Sequence, residues 1–172
     1  IAYGLKTVRT RMFTHTGPRR GEVFVCSNFA KQIASIEAKL QEPTIYVGNL
    51  DSVRTFNDVR DAVKAYWLLG QKYFEGKVPA GEVYNIGGNA TMKVGEMLDK
   101  LLSFSPIRGK VTIQVDKARL RPADVTLQIP DSSKFKKATG WEPVIPFEKT
   151  MEDLLNYWRE KLSRQTANKV TE

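Results

Sequence analysis

Apolar and polar side chains alternate from Lys6 to Met12, with Val8, Thr10 and Met12 on one side and Thr7, Arg9 and Arg11 on the other. That period of two predicts a half-buried strand. Two arginines on one strand face are uncommon in a core, so that face is either wet or lines a site. From Val25 to Leu40 the period changes: Val25, Phe29, Ile33, Ile36 and Leu40 fall at helical steps, which predicts an amphipathic helix with Ser27 or Asn28 as cap. Pro43 ends it, and Thr44 to Val47 reads as a short strand. After the turn-rich Gly48–Arg54, Thr55 with Asp58 resembles a capping box. The helix it opens runs to about Gln71, with Val59, Ala62, Val63, Tyr66, Trp67 and Leu69 inward.

Gly76–Gly81 reads as a loop, and Glu82–Ile86 as a strand closed by the turn Gly87-Gly88. A helix is expected from Thr91 with Val94, Met97, Leu98 and Leu101 on one face, then a strand carrying Val111, Ile113 and Val115. The run Ala118–Val125 has no period. Asp131 is expected to cap a short helix that Gly140 ends. A last helix, Phe147–Leu162, turns Phe147, Met151, Leu154, Leu155, Trp158 and Leu162 inward, and the tail from Ser163 is expected to fray. Strands alternate with helices and no repeat occurs, so the fold class is α/β.

Composition narrows the function. The 172 residues suit one unit with a real core, and no apolar run nears the roughly 20 residues that span a bilayer. The opening residues are not a signal peptide, and the chain is expected to begin in mid-fold. Cys26 is the single cysteine, which excludes an internal disulfide and a multi-cysteine metal site. A cytoplasmic location is expected. The formal charge is +8, from 27 Lys and Arg against 19 Asp and Glu. Such a balance suits phosphate-bearing partners, but the basic residues are scattered, which favours several small anion contacts over one nucleic-acid-binding tract.

The densest chemistry is Phe13-Thr14-His15-Thr16-Gly17-Pro18-Arg19-Arg20-Gly21. Gly17 and Gly21 permit backbone conformations closed to other residues, and Pro18 fixes one torsion between them. Such a turn at a strand end is where open α/β sheets bind ligands, and Arg19 and Arg20 add two donor forks suited to phosphate. A solvated surface loop accounts for the same composition. Gly87-Gly88 lacks the spacing of a dinucleotide fingerprint. There is no metal-ligand cluster and no nucleophile–histidine set; His15 is the only histidine. These residues can bind an anion but do not by themselves contain a reaction.

Several spaced motifs resemble the C-terminal half of extended short-chain dehydrogenase/reductases that act on nucleotide sugars. Phe13–Gly21 is similar to the F-N-H-E-S-P-R-R-G of GDP-mannose 4,6-dehydratases, with Thr14 where Asn is usual. Gly48–Arg54 matches their G-N-L-D-x-x-R, Tyr84–Gly88 their Y-N-I-G-G, and Arg121–Val125 their R-P-x-E-V. The segments Ser27–Ala34, Ala118–Val125 and Thr139–Pro143 look at least as much like the sister GDP-4-keto-6-deoxy-mannose reductases.

The resemblance implies the last sheet strands of a Rossmann-type enzyme with a small substrate-binding subdomain. It implies that His15, Arg20, Arg11 and Thr14 form the wall of an NADP (or NAD) site. Arg54 and Arg121 would hold the diphosphate and nucleoside of a GDP-sugar, with Asp124 accepting from ribose or guanine and Asn28 at the substrate. It implies no catalytic residue and no metal in these residues, because the family's Gly-rich loop and Tyr-x-x-x-Lys pair lie in an N-terminal half. That half is the expected partner of the chain, in a homo-oligomer without nucleic acid or membrane. A related epimerase, or a non-catalytic nucleotide- or anion-binding module, remains open at this point.

Overall fold

The computed structural model describes residues 5–120 and 125–170, the side chains of 168–170 excepted. Among them are eight strands and five α-helices. Strand β1, Arg9–Met12, pairs in parallel with β5, Val83–Ile86. Strand β3, Thr44–Val47, pairs in parallel with β7, Thr112–Val115. Strand β4, Val53–Asp58, is the centre of a third group: β2 (His15–Thr16) and β8 (Leu127–Gln128) run parallel to it and β6 (Ala90–Lys93) antiparallel. The α/β class read from the sequence is what the fold shows.

Helix α1, Val25–Glu37, α3, Val94–Ser103, and α5, Phe147–Val170, bury one core around Phe29, Ile33, Met97, Leu101, Met151, Leu155 and Trp158. Helix α2, Val59–Phe74, and α4, Ser133–Thr139, enclose a second core with Ala65, Tyr84, Ile86, Phe135 and Trp141. Trp141 joins the second core to α2 by donating its indole N–H to the Asp61 carbonyl (3.0 Å).

Several expectations are corrected. The residue before α1 is Phe24, and no side chain caps it, so neither Ser27 nor Asn28 does. Leu40 lies past the end of α1 and is 56% exposed. Residues 53–58 are a strand, where the sequence predicts a turn at Val53 and Arg54 and a helix start at Thr55–Asp58; this puts Arg54 inside β4. Asp58 is itself the cap of α2, accepting from the Arg60 N–H (2.7 Å). Val63, Tyr66 and Trp67 face outward, 63%, 49% and 69% exposed. Thr91 lies in β6, and α3 begins at Val94, where Glu96 accepts from the Lys93 N–H. Ser132 precedes α4, although the Asp131 carboxylate does accept from the Ser133 N–H (2.9 Å). Helix α5 continues to Val170 instead of fraying at Ser163.

Gly88 is required by close approach and not by its dihedrals: a Cβ there would lie 1.9 Å from the Phe56 carbonyl oxygen. That contact lets the chain between β5 and β6 press against β4. Asp58 then ties β4 to two helices. Its carboxylate is fully buried, accepts from the Arg60 guanidinium (2.8 Å twice) and from the Thr150 hydroxyl of α5 (2.7 Å). Arg60 reaches on to Asp153 (2.8 Å). These donors hold the Asp58 carboxyl below its ordinary range against the opposing effect of burial.

Removing Asp58 takes one acceptor from the Thr150 hydroxyl, which keeps the Pro146 carbonyl (3.2 Å), and leaves the first-turn Arg60 N–H without its cap, while Arg60 keeps Asp153 and access to water. Asp58→Ala is expected to cost about 2 kcal/mol of unfolding free energy. Asp58→Asn, which keeps an acceptor for the Arg60 N–H, is expected to cost less. Chemical denaturation checks the order, and equal losses would contradict it.

Candidate functional site

The backbone changes sheets at Phe13–Thr14. The Phe13 N–H makes the last rung to Ile86 (2.9 Å), and the Thr14 carbonyl makes the first rung to Asn57 of β4 (2.9 Å). A cavity of about 700 Å³ opens there. Its walls come from the segments that follow three parallel strands: Met12–His15 after β1, Gly48 and Asn49 after β3, and Ala118 and Arg119 after β7. Ligands bind at such carboxyl ends because loops there diverge and leave a crevice.

The turn read as central to the sequence supplies one wall. Gly17 has φ +143°, and a Cβ there would touch Val59, so glycine is required. Gly21 uses no such freedom; Arg19 instead adopts the left-handed conformation, φ 70°. The turn is fixed from behind. Ser27 Oγ donates to the Arg20 carbonyl (2.6 Å) and accepts from the Trp158 indole N–H (2.9 Å).

Arg20 is thereby aimed into the cavity. Its guanidinium carbon lies 3.4 Å from the centroid of the Phe24 ring, and Nη1 is 3.2 Å from His15 Nε2. A guanidinium only donates, so Nε2 accepts and the ring proton sits on Nδ1. Burial, and secondly the Arg20 charge, lower the His15 pKa from 6.5. The imidazole is therefore neutral at pH 7, as the hydrogen bond requires. No carboxylate among the described residues forms an ion pair with Arg20.

Arg54 enters from β4 and lines the cavity beside Ser52 and Gln128; its Nη1 donates to the Val53 carbonyl (2.9 Å). Asn28 lies on the α1 wall. The structure thus brings Thr14, His15, Arg20, Asn28 and Arg54 together around one cavity. Arg11 is exposed on β1 and does not line it. Arg121 and Asp124 lie outside the described residues, so the expected pairing of Arg54 with Arg121 stays an expectation.

Arg119 was not singled out in the sequence, yet it is a third guanidinium at the cavity. The 3-10 turn Lys117–Arg119 carries it, seated so closely on Gly48 that a Cβ at Gly48 would lie 2.8 Å from the Arg119 carbonyl oxygen. Asp116 accepts from Arg119 Nε (3.2 Å). The signal available in the sequence was its place in the aperiodic basic run before Arg121. Among the described residues no group of His, Cys, Asp and Glu could hold a metal ion, and no helix is long and apolar enough to cross a membrane. Cys26 is buried and its thiol is pushed up to about 12, mainly by desolvation, which removes it as a nucleophile.

Parallel strands with a basic, partly apolar cavity at their carboxyl ends define an α/β protein of Rossmann type. Comparison with known proteins gives the family. Residues 1–154 match the family model described as GDP-mannose 4,6 dehydratase, and the chain belongs to that family. It is 29% identical over 96% of its length to GDP-6-deoxy-D-mannose reductase of Pseudomonas aeruginosa, covering 52% of that protein. It is 31% identical over 94% of its length to GDP-mannose 4,6 dehydratase 1 of Arabidopsis thaliana, covering 44%. Among solved structures, RMD from Pseudomonas aeruginosa complexed with NADPH superimposes with TM-score 0.78 at 29% identity, over 92% of this chain and 50% of that one. The chain spans about half the length of the relatives it matches.

The lowered His15 pKa has a sign for stability. Between the folded value and 6.5 the unfolded chain binds more protons, so stability falls as pH drops below about 6.5. Asp58, Glu37 and Asp153 titrate below their ordinary carboxylate values, outside this window. Melting temperature is expected to fall from pH 7.5 to 5.5 and to fall less in His15→Gln. An equal slope in both would show that His15 does not titrate as described.

Proposed function

We propose that residues 1–172 form one unit, the substrate-binding C-terminal portion of a nucleotide-sugar-modifying enzyme of the short-chain dehydrogenase/reductase type. The favoured activity of the whole enzyme is GDP-mannose 4,6-dehydratase, a lyase that converts GDP-mannose to GDP-4-keto-6-deoxy-mannose with loss of water and no net redox change. The observation that carries this reading is the convergence of Arg20, Arg54 and Arg119 on one cavity at the strand ends. Guanidinium forks give charge-assisted hydrogen bonds to phosphate oxygens.

In this reading Arg20 and His15, with Thr14 beside them, fit the phosphate-bearing side of NADP or NAD. The neutral imidazole keeps Arg20 oriented without adding a second charge. When bound, the cofactor would supply the hydride acceptor and donor for the internal redox step. Arg54 and Asn28 hold the GDP diphosphate, and Arg121 and Asp124 are assigned to the nucleoside by resemblance alone. No residue of this chain is given a catalytic role, so these residues alone are expected to be inactive. A nucleotide-binding half of the same enzyme is the proposed partner. The exposed Val63, Tyr66 and Trp67 of α2 support it, as does the edge of β1, which among the described residues pairs with β5 only. A cytoplasmic homo-oligomer completes the proposal.

A second reading, the reductase that acts on GDP-4-keto-6-deoxy-mannose, is favoured by the likeness to the Pseudomonas aeruginosa reductase over 96% of this chain. Incubating the full-length protein with GDP-mannose and NADP separates the two. The dehydratase forms a 4-keto sugar without added reductant; the reductase turns over only when given the keto-sugar and NAD(P)H. Turnover under neither condition overturns both. In either enzyme Arg54→Ala is expected to weaken GDP-sugar binding by about 1.5–3 kcal/mol while leaving cofactor affinity nearly unchanged, measured by titration calorimetry.

A further inference from the structure

Gln32 lies on α1, is 6% exposed, and does not line the cavity. It nevertheless fixes what the cavity presents. Strand β3 gives the rungs from Pro43 and Val47 to β7, which turns the N–H and C=O of Tyr46 to the opposite edge. Gln32 closes that edge: its Oε1 accepts from the Tyr46 N–H (2.8 Å) and its Nε2 donates to the Tyr46 carbonyl (3.0 Å). A backbone donor and a backbone acceptor side by side leave the Gln32 amide one orientation, since the reverse would set N–H against N–H and oxygen against oxygen.

The second N–H of Gln32 Nε2 then donates to Asn28 Oδ1 (2.7 Å), one helical turn back. Arg119 Nη1 donates to the same oxygen (2.8 Å). With two donors facing it, that atom must be oxygen, so the Asn28 amide is also held in one orientation. Its Nδ2 faces the other way, where it donates to the Glu22 carbonyl (3.2 Å). Asn28 lines the cavity, and an amide nitrogen has two N–H groups; the second remains for a ligand.

We propose that Gln32 is a positioning residue that relays the polarity of the β3 edge to Asn28, so that Asn28 meets the ligand as a donor and, with Arg119, reads an anionic oxygen of the nucleoside diphosphate. The inference rests on the pocket assignment above and adds the orientation of one amide to it. Asn28 is selective in this arrangement because its only acceptor is already engaged twice. A hydroxyl or N–H donor of a ligand finds no acceptor on Asn28, and a phosphate oxygen finds a donor.

GDP binding to the full-length protein tests this by calorimetry in a double-mutant cycle. Gln32→Glu places a carboxylate oxygen against Asn28 Oδ1 and favours the flipped amide, which would turn an acceptor toward the anion. It is expected to lower GDP affinity about tenfold. In an Asn28→Ala background the same change is expected to cost less than threefold, because the residue it acts through is gone. Equal losses in both backgrounds would mean a general structural effect and overturn the proposal. Asn28→Asp tests the polarity at the half-buried cavity wall even if Gln32→Glu does not fold: a carboxylate cannot donate, so GDP affinity is expected to fall at least tenfold. Unchanged affinity overturns the donor assignment. Wild-type protein that fails to bind GDP overturns the pocket assignment and this inference together, whereas wild-type binding retained in both variants overturns this inference alone.

Discussion

Arg20, a guanidinium with no carboxylate ion pair among the described residues, is the constraint around which the cavity is arranged. Arg20 is partly desolvated, and that burial lowers its pKa. It stacks on Phe24 and donates to an imidazole that its own charge helps keep neutral. A cation in that position has no carboxylate partner among the described residues, and a bound anion would supply the counter-charge. The same cavity holds Arg54 and Arg119, and Arg119 is steadied by Asp116 at 3.2 Å. The three groups are held by separate elements: the Gly17 turn, strand β4 and the turn after β7.

The scaffold serves that separation. Each basic group approaches from the end or the start of a strand: Arg20 from the turn after β2, Arg54 from the start of β4 and Arg119 from the turn after β7. Trp158 of α5 reaches through Ser27 to hold the Arg20 backbone. Thr150 of the same helix bonds Asp58 at the end of β4. One helix therefore registers two walls of the cavity against each other. Gly48 permits the backbone approach that closes the cavity at Arg119, and Gly88 permits the one that seats the β5–β6 connection on Phe56 of β4.

Much of this was legible in the amino-acid pattern, and the exceptions have physical causes. The strand before Met12, the strand at Thr44–Val47 and the inward face of α5 followed their periods. Helix α2 did not, because Val63, Tyr66 and Trp67 are apolar yet exposed; period alone cannot tell a core face from a face meant for another part of a protein. Thr55–Asp58 read as a helix start because Asp58 carries helix-start chemistry, but it is the cap and not a first-turn residue. In the site, His15, Arg20 and Arg54 stood out by residue type. Arg119 did not, since its place depends on the 3-10 turn resting against Gly48, and neither partner is periodic. Gln32 was illegible for a related reason: a glutamine on a helix is ordinary until Tyr46 is seen beside it.

The central claim is that the cavity exists to hold a diphosphate. It is tested most directly by comparing GDP with guanosine as ligands of the full-length protein at fixed ionic strength. GDP is expected to bind at least a hundredfold more tightly, about the effect of two charge-assisted hydrogen bonds, with the gap narrowing as salt is raised. Equal affinity for the two, at any salt concentration, would contradict the account.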